Sequence, residues 1–294
     1  MNRVRKQIHY SRAEKEQLIG YHIGVGVLDS GIFPHEDLKD QIRAFRDFTN
    51  KYQLPYDETG HGTHVCGILA GNGRVLHGKY KGMAPCCDLY VGKILNKRGE
   101  GSLKILLRGL QWLLSIAESC NIRVINISVS SIASARPEEQ RKLYELFQYA
   151  YENNILIVTA AGNFGPGDNT ISRLGDTPYV ICVGCHDGNL ENGGLRCQDC
   201  SGRGPGENVW KKPDVVAPGT QIISCQAAYG KYVARSGTSM ATPIVSGLLA
   251  LAWEKYPYLN AMQLKRKLIL SATDLGESYL MQGAGMVDVE KMLS

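Results

Sequence analysis

The chain has 294 residues, 44% of them hydrophobic, enough to bury a sizeable core in one large domain or two small ones. Charged residues make up 21% and no segment is of low complexity, which excludes a disordered chain. The net charge of +5 includes a basic run, Arg3, Arg5, Lys6, Arg12 and Lys15. No aromatic residues interleave with it, so a solvated helical face is a better reading than a nucleic-acid contact.

Residues 1–20 contain no apolar run of the length a secretory signal needs. They read as an N-terminal segment, either a docked helix or a small regulatory element, ahead of a domain at 21–294. The most apolar stretch, 244–253, is far short of the ~20 residues of a membrane span. A chain that starts at Met1 is expected in the cytoplasm; a processed fragment would be secreted. Neither nucleic acid nor membrane is an expected partner, and the oligomeric state is open.

Residues 23–28 (IGVGVL) and 89–95 (LYVGKIL) read as strands. Residues 103–118 form a long apolar helix, and 124–129 (VINISV) a third strand. The helix predicted at 137–153 opens with Pro137, Glu138 and Glu139, good first-turn residues, and Leu143, Leu146, Phe147, Ala150 and Tyr151 recur at helical spacing. Residues 155–160 (ILIVTA) and 180–183 are further strands. Strands apolar throughout and separated by helices predict an α/β fold: a central, mostly parallel sheet with helices on both faces. Ligands then bind outside the carboxyl ends of the strands.

Three motifs carry chemistry. Asp29 directly follows the first strand, in a DSG sequence that is also ordinary turn chemistry. Gly60-His61-Gly62-Thr63-His64-Val65 leads into a helix at whose start His61 stands. Helical zinc motifs space their histidines i, i+4 around a Glu; the spacing here is i, i+3 without Glu, so zinc is set aside. Ser236-Gly237-Thr238-Ser239-Met240-Ala241-Thr242-Pro243 opens a helix. A serine there is normally a cap, but a nucleophile gains an outward-pointing backbone N–H for an oxyanion.

The nine cysteines are Cys66, Cys86, Cys87, Cys120, Cys182, Cys185, Cys197, Cys200 and Cys225. An odd count in a large chain argues against a disulfide framework and fits a reducing compartment. Cys182/Cys185 and Cys197/Cys200 form two CxxC pairs, a zinc-ribbon pattern taken alone. The first pair lies in a predicted strand, where i and i+3 face opposite sides, so core packing is the better reading. Cys66 is expected to pack within its helix.

In this order, DSG, HGTHV and GTSMATP resemble the signature blocks of subtilisin-like serine proteases. Ala160-Ala161-Gly162-Asn163 is similar to the family's oxyanion segment, and GMAP at 82–85 and KPDVVAPG at 212–219 agree. The resemblance implies a serine endopeptidase with Ser239 as nucleophile, His61 as general base, Asp29 orienting it and Asn163 in the oxyanion hole. It implies polypeptide substrates bound as an extended strand along Gly99-Glu100-Gly101 and Ser128-Val129-Ser130. The family usually has glycine where Ser130 stands. Ala160, Ala161, Gly162 and Ser172 would wall a pocket for a medium-to-large apolar side chain before the cut, with Arg173 a weak attraction for an acidic one. No cofactor is required. The loop 71–81 lacks an Asp/Asn-rich ligand set, so no calcium site is expected there; it looks more like an intracellular bacterial subgroup. Only 28 residues precede Asp29, which leaves no room for the inhibitory pro-region common in the family. The alternative is a catalytically silent relative that acts as a binding or signalling module.

Overall fold

The computed structural model describes residues 1–50, 52–129, 136–188, 196–206 and 210–294. Seven strands form one sheet in the order β2-β3-β1-β4-β5-β6-β7, all pairs parallel. They are β1 (Gly24–Asp29), β2 (Ile42–Asp47), β3 (Asp88–Lys93), β4 (Ile122–Ile127), β5 (Leu156–Ala160), β6 (Val180–Cys185) and β7 (Val215–Ala217). A separate antiparallel hairpin joins β8 (Ile222–Cys225) to β9 (Tyr232–Arg235).

The helices are α1 (Asn2–Gln7), α2 (Ser11–Lys15), α3 (His61–Ala70), α4 (Leu103–Ile116), α5 (Pro137–Glu152), α6 (Cys197–Cys200), α7 (Thr238–Lys255), α8 (Ala261–Ser271), α9 (Tyr279–Gln282) and α10 (Val289–Met292). Alternate strand residues divide between two cores. Val25, Val27, Val124, Leu156 and Val158 join the core under α3 and α7. Leu28, Ile125 and Ile157 join the core under α4 and α5. Period-two alternation of side chains on strands that are apolar throughout therefore produces three layers.

The five strands read as apolar runs are β1 and β3–β6, displaced by a residue or two. The edge strand β2 escaped that reading. Its sequence IRAFRD alternates charge with apolar residues, and only Asp47 is fully buried. The N-terminal segment forms two short helices where one was expected. Val4, Ile8, Tyr10 and Ala13 are buried in the main core.

The order of the strands positions the site. From β1 the chain goes out to the edge strand β2, returns to β3 between the two, then crosses to β4 on the other side of β1 and continues that way. Asp29 ends β1 at this switch, where the diverging connections leave a crevice. No helix among the described residues is long and apolar enough to cross a membrane.

Candidate active site

Asp29 is fully buried. Its Oδ1 accepts from the Ser30 amide at 2.7 Å and from Nδ1 of His61 at 2.7 Å. A carboxylate can only accept, so Nδ1 carries the proton and Nε2 is left as the free base. His61 begins α3, and the turn before it is organised by Asp57. Asp57 Oδ1 accepts from Gly60 N (2.9 Å) and Ser30 Oγ (2.8 Å); Oδ2 accepts from Thr63 N (2.8 Å) and Thr63 Oγ1 (2.6 Å). Gly62 must lack a side chain, because a Cβ there would meet the Gly31 carbonyl at 2.1 Å and Asp29 Cβ at 3.2 Å. Burial pushes the His61 pKa down, but the charge and hydrogen bond of Asp29 outweigh it, and the net shift is upward.

Ser239 is the second residue of α7, so its N–H is one of the helix's first four, without an intrahelical acceptor. Its hydroxyl donates to the Ser128 carbonyl at 2.7 Å. The hydroxyl is therefore bonded to the carbonyl one residue beyond β4 and not to the His61 imidazole. Asn126 anchors that strand to α7: its Oδ1 accepts from Ser246 Oγ at 2.9 Å.

Asn163 Oδ1 accepts from Thr238 N at 3.0 Å and Thr238 Oγ1 at 3.1 Å. A backbone N–H can only donate, so the amide oxygen is fixed on that side and the NH2 group faces away from it. The side chain lies 3.3–3.4 Å from where a Gly237 Cβ would stand, and Gly237 has φ +132°, so glycine is required here.

The remaining sequence-predicted residues fall nearby. Ala160 ends β5, and Ala161 and Gly162 follow. Ser172 closes back on them, donating its N–H to Ala161 O and its Oγ to Ala160 O, both at 2.7 Å. Ser128 and Val129 leave β4, while the 99–101 segment leaves β3, on the other side of β1. Part of that second edge is already used. Gly99 N donates to Asn96 O, and Glu100 O accepts from Asn96 N, both at 2.9 Å, so the segment is a turn rather than an open strand. Ser130 lies outside the described residues.

Two neighbours were visible in sequence without a role. His64, fully buried, donates Nε2–H toward Ile222 O (3.0 Å) and Val233 O (3.1 Å), fastening α3 to the β8–β9 hairpin. Burial lowers its pKa to about 3, so it stays neutral. Cys66 is enclosed in α3, and burial raises its thiol well above the ordinary range.

The expectation that the cysteines form no disulfide is corrected by Cys185 and Cys197, which are joined. Sequence parity could not reveal one bond among nine thiols. The CxxC pairs do not converge as a set of four. Cys182 Sγ faces Gly175 and Cys185 Sγ faces Gly219, as opposite faces of β6 require.

The sequence profile of the subtilase family matches residues 20–287. The chain belongs to this family. It is 34% identical to serine protease AprX of Bacillus subtilis, over 94% of this chain and 67% of that one. It is 33% identical to subtilisin DY of Bacillus licheniformis, over 95% of this chain and 94% of that one. Among solved structures, the S41 psychrophilic protease superposes with a TM-score of 0.80 at 30% identity, and sphericase with 0.79 at 31%; each covers 92% of both chains. This subtilase is accordingly a serine endopeptidase, a hydrolase acting on polypeptides.

Proposed function

We propose that the chain hydrolyses peptide bonds through an acyl-enzyme intermediate, with Ser239 as nucleophile, His61 as general base and Asp29 as its positioning partner. The observation that carries this reading is the 2.7 Å bond from His61 Nδ1 to a buried Asp29, which leaves Nε2 unprotonated toward the crevice. In this reading the Ser239 hydroxyl exchanges Ser128 O for Nε2, which takes the proton as Oγ attacks the scissile carbonyl. The carbonyl oxygen, now an oxyanion, accepts from the Asn163 NH2 and the Ser239 N–H. His61 returns the proton to the leaving amine; water, activated by the same base, then releases the acyl group.

Residues before the cut lie along the edge that Ser128 and Val129 provide beyond β4. The small residues Ala160, Ala161 and Gly162 leave room for a medium-to-large apolar side chain ahead of the bond, with Ser172 at the wall. Labelling with a fluorophosphonate tests the reading. Wild type is expected to label stoichiometrically and Ser239→Ala not at all; equal, poor labelling of both would end the assignment.

A further inference from the structure

Arg235 closes β9 beside His61. Its Nη2 donates to the Thr59 carbonyl at 2.9 Å and stands 3.5 Å from where a side chain on Gly60 would begin. Among the described residues no carboxylate pairs with it, and its buried Nε has no hydrogen-bond partner. The two carboxylates of the loop that carries Thr59 and Gly60 are occupied: Asp57 holds Ser30, Gly60 and Thr63, and Glu58 pairs with Lys93 at 3.2 Å.

This placement has two costs. A half-buried guanidinium gives up hydration without gaining a counter-charge. Its field also opposes the positive charge that His61 must accept. Of the charged groups facing His61, Asp29 on β1 and Asp57 in the preceding turn favour the imidazolium, whereas Arg235 on β9 disfavours it. A cation that works against the base has its use when something negative is bound.

The layout indicates which part of a substrate passes it. Gly162 packs against Ser172, and Asn163 holds Thr238 next to Ser239; in the proposed reading these residues face the acyl half of the peptide. In the same reading His61 protonates the leaving amine, so the residues around it face the half of the peptide after the cut. Arg235 stands against Thr59 and Gly60, the two residues that lead into His61. We propose that Arg235 is a specificity-determining residue that selects an acidic side chain in the first positions after the scissile bond. A carboxylate bound there completes the guanidinium fork and cancels its field on His61, so that recognition and activation of the base are coupled. This rests on the endopeptidase reading above.

The test uses internally quenched peptides with one apolar residue before the cut and Asp, Asn or Lys at the first or second position after it. Wild type is expected to prefer Asp over Lys by about two- to fivefold in kcat/KM at low salt, the worth of one partly exposed ion pair, with the preference shrinking as salt is added. Arg235→Gln is expected to bring the ratio near one, Arg235→Glu to invert it, and Arg235→Lys to keep part of it. A wild-type ratio near one, or a preference that Arg235→Gln leaves intact, overturns the inference, and the wild-type ratio decides even if a variant does not fold. Cleavage of no peptide, together with no fluorophosphonate labelling, sinks the endopeptidase reading itself and is thereby distinguishable.

Discussion

At the residue scale, the oxyanion assignment turns on which end of the Asn163 amide faces the crevice. Thr238 decides it, because its N–H and hydroxyl both occupy the amide oxygen. Asn163→Ala is therefore expected to lower kcat by about 10²–10³ with little change in KM, the size of loss known for such a donor in subtilisin itself. The same reasoning gives a sign for pH. As the proposed base, His61 must be neutral to act, and Asp29 raises its pKa above the ordinary imidazole value despite burial. The acid limb of kcat/KM is expected to fall above about pH 6.5, the unperturbed value. Asp29→Asn removes the raising influence, so the limb shifts to lower pH while kcat drops by about 10⁴ through loss of the correct tautomer. An acid limb that Asp29→Asn does not move would refute the pairing as the controlling contact.

At the element scale, the first turn of α3 is held from two sides, by Asp57 in the preceding loop and by His64 against the β8–β9 hairpin. His64 has a folded pKa of about 3, set by burial, against about 6.5 in the unfolded chain. Above pH 6.5 neither state binds the proton and stability is full. Below it the unfolded chain takes up the proton and the native state does not, so stability is lost as pH falls from 6.5 toward 3, approaching about 1.4 kcal/mol per pH unit. His61, whose pKa is raised, works in the opposite sense. Urea midpoints in a Ser239→Ala background, free of self-cleavage, isolate the term. Between pH 6.5 and 5 the parent is expected to lose stability more steeply than the same protein with His64→Gln. Equal slopes would show that His64 does not stay neutral.

The same scale shows what was legible. Strands buried on both faces announce themselves as apolar runs, which is why β1 and β3–β6 could be read and why Asp29 could be placed at a strand end. β2 and β9 carry Arg43, Arg46 and Arg235 and answer to an edge or a hairpin, where alternation with charge hides the pattern. The residues at the start of α3 and α7 were legible through short motifs, since a turn that presents a histidine or serine at a helix start needs particular glycines. The Ser239 rotamer, the Asn96 turn and the Cys185–Cys197 bond were not. Each depends on which distant backbone or thiol arrives next to the residue, and composition does not carry that information.

At the scale of the whole molecule, the first 20 residues admit two physical descriptions with different consequences. A detachable regulatory arm would bury little and leave the rest of the core complete without it. The contacts are of another kind. Ile8 is fully buried, and its carbonyl accepts from Val289 N at 2.8 Å, tying the segment to α10 near the other end of the chain. The Tyr10 hydroxyl donates to the Met83 carbonyl, and the Glu254 carboxylate at the end of α7 accepts from Ile19 N (2.9 Å) and Gly20 N (2.7 Å). Because α7 also carries Ser239 in its first turn, the segment is part of the framework that fixes the helix of the proposed nucleophile. Ile8→Ala is expected to cost about 2–5 kcal/mol of global stability, the range for a buried aliphatic truncated to a cavity, in a single transition that α7 shares. Urea unfolding of the Ser239→Ala form, followed by the fluorescence of Trp253 on α7, measures it. If Ile8→Ala left that transition unmoved and instead raised the turnover of the active enzyme, the arm would be a regulator resting on a core complete without it.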